Sequence, residues 1–311
     1  MKILLTGAAG FIGFHAARAL LARGHAVTGV DELNAYYDPA LKRARLERVP
    51  GLDFVQADIS VPGALGGRYD VILHLAAQAG VRYALKDPAA YTRSNLVGHQ
   101  NVLEFARANG GHLVYASSSS VYGNDSVAPF VEDARADKPV SYYGATKRAN
   151  ELMSHSYAEL FGLKQTGLRF FTVYGPWGRP DMAYWLFTER VLKGEAIPVF
   201  GQGKLRRDFT YVDDIVDALV RIVETPHAGD IHKIYNLGNS HPESVDDLIA
   251  AIESATGRKA DIRHEDGPPG DVVETYADIS RAARDFGFQP RVKLGDGIAR
   301  FVDWFREYHR L

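Results

Sequence analysis

The chain has 311 residues, 46% of them apolar and 24% charged, with a formal net charge of −2 at pH 7 and no cysteine. That length suits one large or two modest domains, and the composition is that of a soluble globular protein. The near-neutral balance leaves no footprint for nucleic acid or an anionic membrane, and the missing cysteines exclude disulfides, thiol nucleophiles and Cys-type zinc sites, so no metal is expected.

The opening MKILLTGAAG reads as a buried strand over Lys2–Thr6 running into a glycine turn. It has neither the charged start and separate apolar stretch of a signal peptide nor a membrane anchor, so a cytoplasmic protein is expected. Gly7, Gly10 and Gly13 follow, and then Phe14–Arg23 reads as a helix closed by Gly24. Strand, spaced glycines and helix make a phosphate cradle, because glycine lets the backbone approach a pyrophosphate that rests on free helix N–H groups. The next predicted strand, Ala26–Val30, ends in Asp31, close to the ~20 residues past the glycines where a dinucleotide fold places its acid. A carboxylate there accepts the adenosine ribose hydroxyls and repels a 2′-phosphate, which favours NAD over NADP.

Phe54–Ala57 reads as a third strand, followed by Asp58 and Ile59; Asp58 suits either the adenine amino group or the cap of the next turn. Tyr69–Leu75 reads as a fourth strand opening into Ala76, Ala77 and Gln78, small enough at a strand end to leave room for a ligand. Pro88 to Ala108 reads as one long helix and His112–Ala116 as a fifth strand. Four serines, Ser117 to Ser120, sit on its end, where they are either a plain loop or hydroxyls placed to meet a substrate.

The stretch after Ser141 has apolar residues at Ala149, Leu152, Met153, Tyr157 and Leu160, a helical spacing that stacks Tyr143 and Lys147 on one face. A phenol of pKa ~10 is a poor base, and an ammonium beside it favours the phenolate, so this is a candidate acid/base pair. A surface tyrosine with a solvated lysine has the same spacing. Leu163–Phe171 reads as a sixth strand, after which Thr172 to Asp208, rich in Gly, Pro and Arg, reads as a linker or a substrate lid. Helix returns at Asp213–Val223 and strand at Lys233–Leu237.

The motifs TGAAGFIG (Thr6–Gly13), HLAAQAGVRY (His74–Tyr83), SSSSVYG (Ser117–Gly123), the Tyr143/Lys147 pair, VYGPWGRPDM (Val173–Met182) and RDFTYVDD (Arg207–Asp214) stand in this order. The set resembles the extended short-chain dehydrogenases/reductases of the NAD-dependent epimerase/dehydratase family. The stretches at Leu33–Asp38, Ala77–Arg82 and Gly175–Asp181 are similar to its UDP-glucuronate 4-epimerase branch.

The resemblance implies an α/β fold: a doubly wound parallel sheet of Rossmann type with a smaller mixed α/β substrate domain. Residues 1–172, with later returns at about 212–238, would bind NAD, and 173–311 would mainly bind the UDP-sugar. It implies reversible epimerisation at C4 of UDP-glucuronate to UDP-galacturonate through a 4-keto intermediate. Tyr143 would take the C4 hydroxyl proton, Ser118 would hold that hydroxyl with Ser119 or Ser120 as substitutes, and Lys147 would lower the tyrosine's pKa and hold the nicotinamide ribose. Phe11, Ile12, Asn34, Leu75, Asn95, Ser117 and Phe170 would join the glycines, Asp31, Asp58, Ile59, Ala76, Ala77 and Gln78 around the cofactor.

For the substrate, Arg207 would meet the pyrophosphate, Val199 and Phe200 the uracil, and Asp271 the uridine ribose, while Gly267-Pro268-Pro269 replaces an arginine found in some relatives. A uronate needs a cation for its carboxylate: Arg179 is the first choice, since a guanidinium binds bidentately, with Thr172 adding a hydroxyl and Arg82 as a second candidate. Related decarboxylases and dehydratases carry acids where this chain has Ser119 and Ser120. The alternatives are a UDP-glucose/galactose-type 4-epimerase, a UDP-glucuronate decarboxylase and a non-catalytic NAD-dependent binding protein. A homodimer pairing the helix from Pro88 with the helix after Tyr143 is implied, although burial inside one chain explains their apolar stripes equally well.

Overall fold

The computed structural model describes residues 1–124, 126–265 and 274–311. The chain forms two units, one of Met1–Ser126, Glu132–Phe170 and Val216–Asn236, the other of Val127–Val131, Phe171–Ile215 and Leu237–Leu311.

The first unit opens with β1 (Lys2–Thr6), whose Ile3, Leu4 and Leu5 are fully buried, as a strand covered on both faces requires. Helix α1 (Phe11–Ala22) starts three residues before the predicted Phe14, because Gly10 takes the extended N-cap conformation and Gly13 is drawn into the first turn. β2 (Ala26–Asp31) follows, then α2 (Pro39–Leu46), capped by Asp38 with Pro39 in its first turn. β3 (Asp53–Gln56) starts and ends one residue earlier than predicted, and β4 (Val71–His74) is shorter than predicted. The expected single helix from Pro88 is broken into α3 (Pro88–Tyr91), π-type turns at Thr92–Val97, and α4 (Gly98–Asn109). β5 (His112–Ser118) runs two residues past the expected end and takes in Ser117 and Ser118. Ser141 then caps α5 (Tyr142–Phe161), its hydroxyl accepting from Gly144 N at 3.0 Å, and β6 (Gln165–Phe170) is buried throughout.

The segment read as linker or lid is built: it holds β7 (Thr172–Tyr174), α6 (Ala183–Lys193), β8 (Ile197–Phe200) and the start of β9 (Arg206–Tyr211). Its Gly and Pro density hid a helix whose Tyr184, Trp185, Phe187, Thr188 and Val191 are all buried. Next come α7 (Val212–Glu224), β10 (His232–Leu237), β11 (Pro242–Ser244), α8 (Val245–Thr256), β12 (Ile262–Glu265), β13 (Glu274–Thr275), α9 (Ser280–Phe286) and α10 (Leu294–His309).

The large sheet runs β10-β6-β5-β4-β1-β2-β3, and every pairing from β3 across to β6 is parallel. The chain leaves β1 toward β2 and β3 and returns on β1's other side as β4, so the order reverses between β1 and β4. Ligands of such sheets bind outside the strand ends at this reversal. On one face, Leu4, Ile72, Leu113 and Tyr115 pack with Val102, Leu103 and Ala106 of α4. In the second unit, β9 is flanked by β11 and β13 and also pairs with β7, while β8 pairs with β12. Trp185 packs there against Phe301, Trp304 and Phe305 of α10.

Candidate active site

At the reversal point the chain is shaped by what glycine permits. Gly7 has φ +76°, and a Cβ on it would stand 2.7 Å from Ala76 N and 2.9 Å from Leu75 C, at the end of β4. A Cβ on Gly13 would meet the Gly7 carbonyl oxygen at 2.0 Å, so the first helical turn lies directly on the loop. Gly10 caps α1 with no side-chain partner, and no acid occupies the first turn, which leaves Phe11, Ile12 and Gly13 at a positive helix end without a counter-charge of its own. Among the described residues this cradle fits a dinucleotide pyrophosphate. Asp31 closes it: its carboxylate accepts from Ala9 N at 3.1 Å and from Leu33 N at 2.9 Å.

Asn34 is held by Lys42, whose Nζ donates to its side-chain oxygen at 2.7 Å, and Nδ2 of Asn34 donates to Glu32 at 2.6 Å. Asp58 accepts from Ser60 N at 2.8 Å through Oδ1, and Ile59 beside it is buried. Gln78 and Asn95 are locked together: Gln78 N donates to Asn95 Oδ1 at 2.8 Å and Asn95 Nδ2 returns to Gln78 O at 3.1 Å. Asn95 Nδ2 also reaches Thr146 Oγ1 at 3.0 Å, tying Gln78 to α5. Ala77 follows Ala76 on the same segment, Phe170 is buried at the end of β6, and Arg82 is exposed at the turn preceding Tyr83–Leu85.

Lys147 is 3% exposed and donates from Nζ to Ala116 O of β5 at 3.0 Å, which rules out the solvated lysine. Burial, partly offset by the charge of Glu151, pushes it down to about 8. Tyr143, one helical turn earlier, is half-buried with Tyr91 edge-on to its ring at 6.1 Å. The serines separate by strand alternation. Ser117 donates its hydroxyl proton to buried Glu151 at 2.6 Å, which leaves its oxygen able only to accept. Ser118 accepts from Ser120 N at 3.1 Å, a bond that uses a lone pair and leaves its proton to donate. Ser119 opens the turn Ser119–Val121.

In the second unit, Arg179 makes a two-pronged ion pair with Asp181, Nε to Oδ1 at 3.0 Å and Nη2 to Oδ2 at 2.6 Å. Its backbone N–H donates to the Tyr184 hydroxyl at 3.2 Å, and the loop is pinned by Trp177, tilted against Trp304 at 5.0 Å and edge-on to Tyr308 at 5.3 Å despite a φ of +61°. Thr172 begins β7, Val199 is buried and Phe200 half-buried on β8, and Arg207 lies on β9. Asp271 falls outside the described residues. No group of His, Asp or Glu among the described residues is placed to hold a metal ion, and no described helix is long and apolar enough to cross a membrane.

Residues 3–238 match the NAD dependent epimerase/dehydratase family. The chain belongs to that family. It is 45% identical to UDP-glucuronate 4-epimerase 6 of Arabidopsis thaliana, covering 99% of this chain and 72% of that one. It is 44% identical to Protein CapI of Staphylococcus aureus over the whole of both. The UDP-glucuronic acid 4-epimerase of Bacillus cereus, solved with UDP-glucuronic acid and NAD, superposes with a TM-score of 0.91 at 34% identity, covering 99% of this chain and 100% of that one.

In this member of the epimerase/dehydratase family, several supporting residues carried no sequence signal. Arg45 of α2 is fully buried, donating from Nη1 to Ala9 O at 2.9 Å and to the Tyr37 hydroxyl at 2.7 Å, and so props the glycine loop from beneath. Asp208, inside RDFTYVDD, is fully buried and accepts from the backbones of Asn239, Ser240 and Ala277 and from Thr210. Burial pushes its pKa up, opposed by those four bonds. Glu151, four residues after Lys147, was missed because charged residues in a helical stretch ordinarily face water.

Proposed function

We propose that this protein is a UDP-sugar 4-epimerase that interconverts UDP-glucuronate and UDP-galacturonate with bound NAD. The observation that carries the reading is the junction of α5 with the end of β5. A buried ammonium, a phenol one turn away and a serine hydroxyl with a free proton stand on the unit that carries a dinucleotide cradle. The two-unit organisation fits a cofactor unit and a substrate unit.

NAD would lie along Gly7 to Gly13 with its adenosine ribose at Asp31, and when bound it supplies reversible hydride exchange at C4 of the sugar. Tyr143 as phenolate takes the C4 hydroxyl proton and later returns it, with Lys147 stabilising the phenolate and Ser118 orienting the hydroxyl. Arg207, Val199, Phe200 and Asp271 would hold the UDP portion. Arg179 would read the C5 carboxylate; its fork is held by Asp181, so the sugar's acid would take over that pairing or use the remaining N–H groups. Oxidising C4 of a glucuronate gives a β-keto acid prone to lose CO2. Serines at 119 and 120 place no carboxyl beside Ser118 to serve further proton transfers, which favours an epimerase over a decarboxylase.

The protein would act in the cytoplasm as a homodimer. Val97, Leu152 and Leu160 supply an exposed apolar face on the two helical segments, while Met153 and Tyr157 of α5 turn to the core. The test is incubation with UDP-glucuronate and separation of the nucleotide sugars. UDP-galacturonate is expected, a UDP-pentose would mean a decarboxylase, and turnover of UDP-glucose alone would mean a neutral-sugar epimerase.

A further inference from the structure

A buried charge cluster lies directly behind the catalytic strand end. Glu151 is 1% exposed, yet its carboxylate receives four donors. Arg169 of β6 gives two of them, Nε to Oε1 at 2.8 Å and Nη2 to Oε2 at 2.9 Å. Arg148 Nη1 reaches Oε2 at 2.9 Å, and the Ser117 hydroxyl reaches Oε1 at 2.6 Å. Arg169, itself 1% exposed, is completed by Glu132 O at 3.1 Å and by the Tyr122 ring, 4.6 Å from its guanidinium carbon. A buried ion pair of this kind is costly to desolvate, and an apolar pair of similar volume would often be no less stable. Stability alone therefore does not account for it.

Its position does. α5 is stapled to β5 at two successive residues, Lys147 to Ala116 O and Glu151 to the Ser117 hydroxyl, and the next residue is Ser118. We propose that Glu151, held by Arg169, is a positioning residue for the Tyr143/Lys147/Ser118 group: it supplies the counter-charge that keeps Lys147 an ammonium in a dry site and sets the strand end that presents Ser118. This rests on the epimerase reading above.

The other groups facing Lys147 work against its charge or are neutral. His74 of β4 and His99 of α4 are fully buried and held neutral, His74 bonded to Thr6 Oγ1 at 2.7 Å and His99 to Ser154 Oγ at 3.0 Å, and Tyr143 lies on the same helix. Among these neighbours only Glu151 raises the pKa of Lys147. Burial pushes Glu151 up, but Arg169, Ser117 and Arg148 hold it below the usual carboxylate range, so the counter-charge persists at neutral pH.

Glu151→Gln tests this in the NAD-loaded protein. At a separation of about 6 Å along the helix and an effective dielectric constant near ~20, the lost charge should lower the Lys147 pKa by about one to two units. In a 13C-lysine NMR titration the Lys147 resonance should titrate that much earlier than in the wild type. The kcat–pH profile should narrow, its alkaline limb moving toward neutrality by a similar amount, with KM little changed. An unchanged Lys147 titration and a superimposable profile overturn the proposal, however far the rate or melting temperature falls. Should the single variant fail to fold because Arg169 is left unpaired, Glu151→Gln with Arg169→Met is compared with Arg169→Met alone, so that the two differ only in the Glu151 charge, and Lys147 must titrate earlier in the double variant. Wild-type protein without UDP-sugar turnover would refute the epimerase reading instead, while the lysine titration would still decide the counter-charge.

Discussion

Gly13→Ala puts the cofactor cradle to a steric test. The added carbon would stand 2.0 Å from the Gly7 carbonyl oxygen, 2.8 Å from its carbon and 3.1 Å from Ala8 Cα. All three atoms are backbone, so no side chain can swing aside. Restoring van der Waals separation requires the loop and α1 to part by about 1 Å or more. The loop resists, because Gly7 N donates to Val30 O at 2.7 Å and Gly10 N to Gly7 O at 2.9 Å. Overpacking of this kind costs about 1–3 kcal/mol, and the displaced N–H groups are those that would bind the pyrophosphate. Gly24→Ala is the matched control: it has φ +80° and no atom within 4 Å of the new carbon, so it loses only about 1 kcal/mol of backbone strain. Calorimetric titration with NAD and chemical denaturation should show both variants less stable and only Gly13→Ala weakened in NAD binding, by at least tenfold. Wild-type NAD affinity in Gly13→Ala would refute the cradle.

Lys147→Met should abolish turnover yet raise stability at neutral pH. The folded state lowers Lys147 from 10.5 to about 8. Below pH 8 both states are protonated and the buried cation costs the fold its full penalty, about 3 kcal/mol before the bond to Ala116 is counted. As pH rises from 8 toward 10.5 the folded state sheds the proton first and the penalty fades, so the variant's advantage, measured by denaturant titration, should shrink in that window. An equal effect at pH 7 and pH 10 would contradict it. Tyr143→Phe should lose turnover and keep NAD, with kcat reduced at least a thousandfold; near-normal kcat would remove Tyr143 from its role. Arg179→Ala should raise KM for UDP-glucuronate far more than for UDP-glucose in steady-state assays, and equal effects would place the carboxylate elsewhere.

The sheet was legible because its strands are short apolar runs separated by glycine punctuation, and the cradle because glycine spacing at a strand end has few other uses. The break at Thr92–Val97 was not, since helical periodicity survives a single widened turn. The segment from 172 to 208 hid its helix behind proline and glycine. The choice among Ser118, Ser119 and Ser120 needed the strand's extent, because β5 ends at Ser118 and the next two serines lie in the turn that follows. Arg45, Glu151 and Arg169 were invisible for a common reason: a charged side chain in sequence carries no mark of the partner that lets it be buried.

The most direct measurement follows the hydrogen on C4. UDP-glucuronate deuterated at C4, incubated with the protein in ordinary water, should give UDP-galacturonate that keeps the label at C4, since hydride leaves and returns without meeting solvent. Loss of the label to water, or its absence from C4 of the product, would contradict epimerisation by internal hydride return.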